Sequence, residues 1–151
     1  MKRILFICMG NICRSPTVEA IARVEFARAG LAVEVASAGT EDYHVGRGAD
    51  ARSIAVAAAH GYSLAAHRAR QVCSADFARF DHLLVMDRTN LRALQRFHPD
   101  GPAVQPALFL DEEELPDPYY GEHADFERVI VLARHGTQRW IERLRGTPGV
   151  R

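Results

Sequence analysis

Residues 3–16 read RILFICMGNICRSP, and this order predicts a buried strand, a tight loop and the start of a helix. The apolar run 3–7 contains β-branched and aromatic side chains, which is typical of a strand covered on both faces of a parallel sheet. Ser15 and Pro16 indicate an N-cap and a first helical residue, because the missing N–H of proline costs nothing at that position. The helix is predicted to continue to about Ala29.

Beyond this segment, short apolar strands continue to alternate with helical segments. Further strands are predicted at 33–37, 70–72, 82–86 and 107–110, and further helices at 51–60, 88–97 and 124–144. In the last helix, apolar side chains at helical spacing predict a stripe in the core: Phe126, Val129, Ile130, Ala133, Trp140, Ile141 and Leu144. This order predicts one α/β domain over 1–151, a doubly wound parallel sheet of about four strands flanked by helices. Residues 146–151 are expected to form a frayed tail.

Charge and composition limit the classes of protein to which the sequence can belong. Nineteen basic residues balance nineteen acidic ones in 151 residues, so the strongly basic face of most nucleic-acid-binding proteins is not expected. The first apolar run is too short for a signal peptide or a membrane span. Three cysteines do not make a disulfide framework, and free thiols persist best in a reducing compartment. A cytoplasmic protein without a membrane or nucleic-acid partner is therefore expected.

The loop from Cys8 to Arg14 is predicted to bind an anion. Gly10 and Asn11 tolerate the dihedral angles of a tight loop, so the loop amides can converge above the start of the helix. Free N–H groups and the helix dipole favour negative charge there, and the Arg14 guanidinium matches the oxygens of a phosphate. The same field favours the thiolate form of Cys8. An isolated cysteine at a strand end is more often a small buried residue, but these neighbours favour a nucleophile.

These features, and a second motif near the C-terminus, are shared with a known family. From Ile4 to about Leu144 the chain resembles the low-molecular-weight protein tyrosine phosphatases. Their signature of Cys, five residues, Arg and then Ser or Thr corresponds to 8–15, and their late acid motif to Asp117, Pro118, Tyr119 and Tyr120. The resemblance implies a phosphate-binding loop after the first strand. It also implies hydrolysis of phosphotyrosine and aryl phosphates through a phosphocysteine, without a metal or another cofactor.

The resemblance assigns roles to individual residues. Cys8 is the expected nucleophile, and Asp117 is the expected acid for the leaving group and base for the water of the second step. The phosphate is expected to be held by the loop residues Met9, Gly10, Asn11, Ile12, Cys13, Arg14 and Ser15. Four side chains are expected to support the loop and the thiolate: Asn11, Ser15, Ser37 and His67. Local sequence alone also allows a turn aspartate at 117, an N-cap at 15 and an ordinary partly buried histidine at 67.

Residues near the loop are expected to select the substrate. By the resemblance, the rim of the pocket comprises Ile12, Tyr43, His44, Tyr119 and Tyr120. Aromatic walls suit an aryl ester, and a deep pocket favours phosphotyrosine over the shorter phosphoserine. Ile12 also favours tyrosine, because related phosphatases that act on phosphoarginine look to carry a threonine there. Scattered surface tyrosines are the alternative interpretation.

The resemblance also implies partners and inhibitors. The expected partner is a phosphotyrosine-containing protein, with a bacterial tyrosine kinase or its substrates as the expected class. Phosphate and vanadate-like anions are expected to inhibit by occupying the loop. Cys13 has two interpretations, since it either traps oxidised Cys8 as a disulfide or packs under the loop.

Three other functions remain open. An arsenate reductase of the same fold would also use Cys8, but it needs a relay of further thiols, and Cys73 stands alone. A zinc protein built on Cys8, Cys13 and Cys73 lacks the second close ligand pair that structural sites usually have. A phosphate-binding module without turnover is the third. The loop lacks the Gly-Lys-Ser/Thr ending of a nucleotide-binding P-loop, so an ATPase is not predicted.

Overall fold

A four-stranded parallel sheet forms the centre of the fold in a computed structural model, which describes residues 1–147 and 149. The strands are β1 (Lys2–Cys8), β2 (Val33–Gly39), β3 (His82–Val85) and β4 (Ala107–Leu108), in the order β2-β1-β3-β4. Each pair of neighbours is parallel. The predicted α/β sheet is therefore confirmed.

Helices cover both faces of this sheet. In the described residues they are α1 (Arg14–Arg28), α2 (Ala51–Ala59), α3 (Asp76–Arg79), α4 (Arg88–Leu94) and α5 (His123–Arg145). Successive residues of β1 face opposite sides, so Ile4 and Phe6 pack with α1 and α5, whereas Leu5 and Ile7 pack with α3 and α4. The predicted apolar stripe of α5 is buried. Across the described part of the chain, none of the helices has the length and apolar character needed to cross a membrane.

The start of α1 differs from the prediction. Cys13, and not Ser15, occupies the N-cap position, and its side chain makes no capping hydrogen bond. Ser15 lies inside the first turn, where its hydroxyl contacts the Cys8 sulfur and the Asn11 amide. The prediction of Ser15 as N-cap is wrong because those contacts engage the hydroxyl that capping would use.

Other differences are confined to short elements and to the tail. The predicted strand at 70–72 is wrong, since only Gln71 pairs, in an isolated bridge with Gly39. Helix α3 was not predicted because four residues are too few to show a helical period. The segment predicted as one helix at 88–97 becomes a 3₁₀ turn after Leu94. Of the predicted tail, Pro148, Val150 and Arg151 lie outside the described residues.

The order of the strands determines where a ligand can bind. The chain leaves β1 for β2 on one side and returns to β3 on the other, so the connections diverge at the carboxyl end of β1. Ligands of doubly wound sheets bind at this switch point. Cys8 ends β1, and Asp87 follows β3 on the neighbouring side. Both residues therefore face the region in which a ligand is expected.

Candidate active site

The loop that follows β1 wraps around the sulfur of Cys8. The Asn11 N–H lies 3.3 Å from this sulfur, and the Ser15 hydroxyl lies 2.9 Å from it. Asn11 has a φ of 58°, in the left-handed region that asparagine tolerates better than most residues. Cys8 itself is only 3 % exposed, so the sulfur is reached through the loop. The arrangement directs hydrogen-bond donors at the thiol.

Asn11 is fully buried and connects the loop to its supports. Its side-chain amide donates to the hydroxyls of Ser15 at 2.8 Å and Ser37 at 3.0 Å. Its amide oxygen accepts the Arg70 N–H at 3.0 Å, which fixes the orientation of the amide. Nε2 of His67 lies 2.6 Å from the Asn11 carbonyl oxygen. The structure thus brings Ser37 and His67 against the loop through one residue.

Two further residues behind the loop were not predicted. The Ser37 hydroxyl donates to Oε1 of Glu19 at 2.6 Å, which extends the hydrogen-bond chain into α1. Gly39 ends β2, where a Cβ atom would lie 2.7 Å from the Met9 carbonyl oxygen. Only glycine allows the loop to approach β2 so closely. Glu19 has no local sequence signal, because its role depends on packing between α1 and β2.

Arg14 is buried at the start of α1 and is held by two acceptors. Its Nη1 donates to Oδ2 of Asp87 at 2.6 Å and to the Leu115 carbonyl at 2.9 Å. Burial opposes the charge, but the Cys8 sulfur and the carboxylates of Asp87 and Asp117 outweigh it and raise the pKa of Arg14. The guanidinium is therefore charged and fixed in orientation. Asp87 was missed by sequence reasoning, because an aspartate before a helix indicates an N-cap and nothing more.

Asp117 reaches the same site from the other end of the chain. Its Oδ2 lies 3.7 Å from Nη2 of Arg14, although Asp117 and Cys8 are more than a hundred residues apart in sequence. The Tyr119 N–H donates to its Oδ1 at 3.1 Å. The carboxylate is 44 % exposed, so it borders the opening and not the floor of the site. A proton donor at this edge can meet a leaving group that points toward solvent.

A pocket of about 280 Å³ lies above the sulfur. It is lined by Cys8, Met9, Gly10, Ile12, Cys13, Arg14, Tyr43, His44, Asp117, Tyr119 and Tyr120. All five residues expected at the rim are thus in its wall. The His44 ring closes over Gly10, where a Cβ atom would lie 2.9 Å from it. Tyr119 and Tyr120 pack edge to face, with ring centroids 4.9 Å apart.

The other cysteines differ from Cys8 in their surroundings. Burial, opposed by a hydrogen bond with Ser53, raises the pKa of the Cys13 thiol to about 12, so Cys13 is a neutral thiol at neutral pH. Cys73 is exposed. Within residues 1–147 and 149, no cluster of three or more Cys, His, Asp or Glu side chains is arranged to hold a metal ion. The zinc site considered from the sequence therefore has no support in these residues.

Comparison with known proteins gives the family. The model of the low molecular weight phosphotyrosine protein phosphatase family matches residues 3–147. A low molecular weight protein-tyrosine-phosphatase of Streptomyces coelicolor is 45 % identical over 141 residues, covering 86 % of this chain and 85 % of that protein. Among solved structures, the protein tyrosine phosphatase of Entamoeba histolytica is 33 % identical with a TM-score of 0.89, covering 96 % of this chain and 97 % of that one. Wzb of Vibrio vulnificus, solved with benzylphosphonate, is 31 % identical with a TM-score of 0.84, covering 95 % and 99 %. The chain belongs to the low molecular weight phosphotyrosine protein phosphatase family.

Proposed function

We propose that Cys8, Arg14 and Asp117 hydrolyse phosphotyrosine in this chain, in two steps and without a metal. As a member of its family, the chain is a protein tyrosine phosphatase that acts on phosphoproteins. The observation that carries the residue assignment is the shared pocket, in which Asp117 lies 3.7 Å from Arg14 above the Cys8 sulfur. A nucleophile, an anion clamp and a proton donor therefore face one ligand-sized space.

In the first step the Cys8 thiolate attacks phosphorus and the bond to the tyrosyl oxygen breaks. A phenolate leaving group has a conjugate acid with a pKa of about 10, so it departs slowly unless it receives a proton. Asp117 supplies this proton. Arg14 and the loop amides stabilise the charge on the equatorial oxygens.

In the second step water attacks the phosphocysteine, Asp117 takes its proton, and the phosphorus–sulfur bond breaks to release phosphate. Ser15 assists this step because its hydroxyl accepts a hydrogen bond from Asn11 and lies 2.9 Å from the sulfur. A thiolate carries no hydrogen, so the Ser15 hydrogen points to the sulfur. This donation stabilises the departing thiolate.

The rim is proposed to select aryl phosphates. Tyr43, His44, Tyr119 and Tyr120 surround the opening with aromatic rings, and Ile12 adds an apolar surface near the loop. An aromatic substrate ring gains about 0.5–1.5 kcal/mol per aromatic pair beyond simple burial. The benzylphosphonate bound by Wzb is an aromatic phosphonate of similar shape to this proposed substrate.

A partner, two inhibitors and a location are also proposed. A bacterial tyrosine kinase or one of its substrates is the proposed partner, which the bacterial relatives support. Inorganic phosphate and vanadate are proposed inhibitors, because each presents tetrahedral oxygens to the loop. Cys8, Cys13 and Cys73 are free thiols, which supports a place in the reducing cytoplasm.

A panel of phosphopeptides tests the substrate class. We expect phosphotyrosine to be hydrolysed at least about 100-fold faster than phosphoserine or phosphoarginine, because the rim contacts a long aromatic side chain. EDTA is expected to leave the rate unchanged, and vanadate is expected to compete with the peptide. Activity that EDTA removes would contradict the metal-free reaction, and faster release from phosphoarginine would contradict the assigned substrate.

The acid role of Asp117 has a separate test. We expect Asp117→Asn to lower kcat with phenyl phosphate about 100- to 10,000-fold, because asparagine cannot give the leaving oxygen a proton. Glu142→Gln, which removes an exposed carboxylate of α5 that does not line the pocket, is the matched control. A turnover number unchanged in Asp117→Asn would remove this residue from the mechanism.

A further inference from the structure

The loop that carries the acid, residues 116–121, is exposed except at Pro118, which is buried. Among the described residues, its backbone receives one hydrogen bond from outside the loop, and the donor is Arg52. Nη1 of Arg52 lies 3.0 Å from the carbonyl oxygen of Tyr119. Within the loop, the Tyr119 N–H donates to Asp117 and the Gly121 N–H donates to Pro118. This hydrogen bond from Arg52 and the burial of Pro118 thus connect the acid loop to the rest of the protein.

Arg52 is itself oriented by its neighbours. Its Nε and Nη2 form a two-pronged ion pair with Asp50, at 3.0 and 2.9 Å. Asp50 is fixed in turn, because its N–H donates to the Ile12 carbonyl at 2.9 Å and its carboxylate caps α2. The ring of Phe126 lies 4.6 Å from the guanidinium carbon. These contacts leave Nη1 directed at Tyr119.

The Arg52 contacts join the two halves of the active site. Ile12 belongs to the phosphate-binding loop and Tyr119 to the acid loop, and Arg52 reaches both, the first through Asp50. The Asp117 carboxylate is half-exposed, and its 3.7 Å contact with Arg14 is longer than a hydrogen bond. The closest contact of the carboxylate is the Tyr119 N–H, 3.1 Å from its Oδ1, so its place depends on the Tyr119 backbone that Arg52 contacts.

We propose that Arg52 is a positioning residue, which holds the acid loop so that Asp117 reaches the oxygen of the leaving group. The inference rests on the proposed function, in which Asp117 is the acid. Arg52 is not among the residues that line the pocket, so its loss affects proton transfer and leaves phosphate binding intact. Lysine cannot replace it, because one ammonium group cannot pair with both Asp50 oxygens and also reach Tyr119.

The test compares Arg52→Ala on two substrates that differ in their need for an acid. Phenol leaves poorly and needs the proton, whereas 4-nitrophenol leaves more easily. We expect kcat to fall about 10- to 100-fold with phenyl phosphate, and less than about threefold with 4-nitrophenyl phosphate. The inhibition constant for vanadate is expected to stay within about twofold, because the phosphate-binding loop is unchanged. Arg28→Ala removes an exposed arginine from the last turn of α1 and is expected to change none of these values.

Other outcomes of the Arg52→Ala measurements would contradict the proposal. An equal loss with both substrates, weaker vanadate inhibition, or no loss with phenyl phosphate would overturn the positioning role. Arg52→Ala combined with Asp117→Asn should lose no more than Asp117→Asn alone, since a misplaced acid and a missing acid are the same defect. Additive losses would contradict the proposal. If Asp117→Asn alone leaves kcat unchanged, the proposed acid role and this inference both fail. If Asp117→Asn lowers kcat as expected but Arg52→Ala lowers kcat equally with both substrates, only the inference about Arg52 fails.

Discussion

Cys8→Ser is expected to lower kcat with 4-nitrophenyl phosphate by about 10⁵-fold or more, since it removes the group that forms the covalent intermediate. A serine hydroxyl keeps its proton at neutral pH, and an alcohol is intrinsically a poorer nucleophile than a thiol. The oxygen is therefore a far weaker nucleophile in the same geometry. Steady-state hydrolysis, measured at enzyme concentrations high enough to detect the residual rate, checks this result.

The variant must be shown to keep its pocket. We expect the Cys8→Ser variant still to bind inorganic phosphate in a titration, because Arg14 and the loop amides remain. Cys73→Ser, which changes an exposed thiol, is the matched control and is expected to retain the full rate. Hydrolysis that survives in Cys8→Ser would reject the phosphocysteine mechanism.

Arg14→Lys is expected to cost about 10³- to 10⁵-fold in kcat/KM, comparable to the loss of an arginine that stabilises a transferring phosphoryl group. Lysine keeps the positive charge but loses the planar fork that contacts two oxygens at once. In this site the fork also serves Asp87 and the Leu115 carbonyl through Nη1. One ammonium group cannot satisfy those acceptors and still hold the phosphate.

A lower kcat/KM of Arg14→Lys must be distinguished from unfolding of the variant. Arg14 is 2 % exposed, so its replacement also disturbs a buried ion pair. Thermal unfolding of the variant, with and without vanadate, distinguishes the two effects. A folded Arg14→Lys protein is expected to gain little stability from vanadate, whereas the parent protein gains much more. A kcat/KM within tenfold of the parent would show that charge alone is sufficient at this position.

The strand, loop and helix around Cys8 were predictable because every determinant lies within one short segment. The apolar run and the Gly-Asn pair are local signals, and β1 and α1 lie close to their expected bounds. Ser15 is the exception, because its hydroxyl serves Cys8 and not the helix end. Local sequence favours a turn at Asp117, so its role came only from the family resemblance.

The residues that were missed share a physical cause. Asp87 and Arg52 act through contacts with segments far away in sequence, at Arg14 and Tyr119. Each also has an ordinary local role. Asp87 is the N-cap of α4, and Arg52 lies in the first turn of α2, next to the capping residue Asp50. A local role that already accounts for a residue gives no reason to look for a second one. Only the packed structure shows both.

Asp87 illustrates what such a double role means for mutational scanning. Its Oδ1 accepts the Asn90 N–H at the start of α4, while its Oδ2 accepts from Arg14. A selection for folded protein and a selection for hydrolysis would therefore both reject most substitutions at this position. Abundance and activity scores would fall together, and their correlation alone would misclassify Asp87 as a purely structural residue. Asparagine, which retains one carbonyl oxygen for the helix, is the substitution that should separate the two scores.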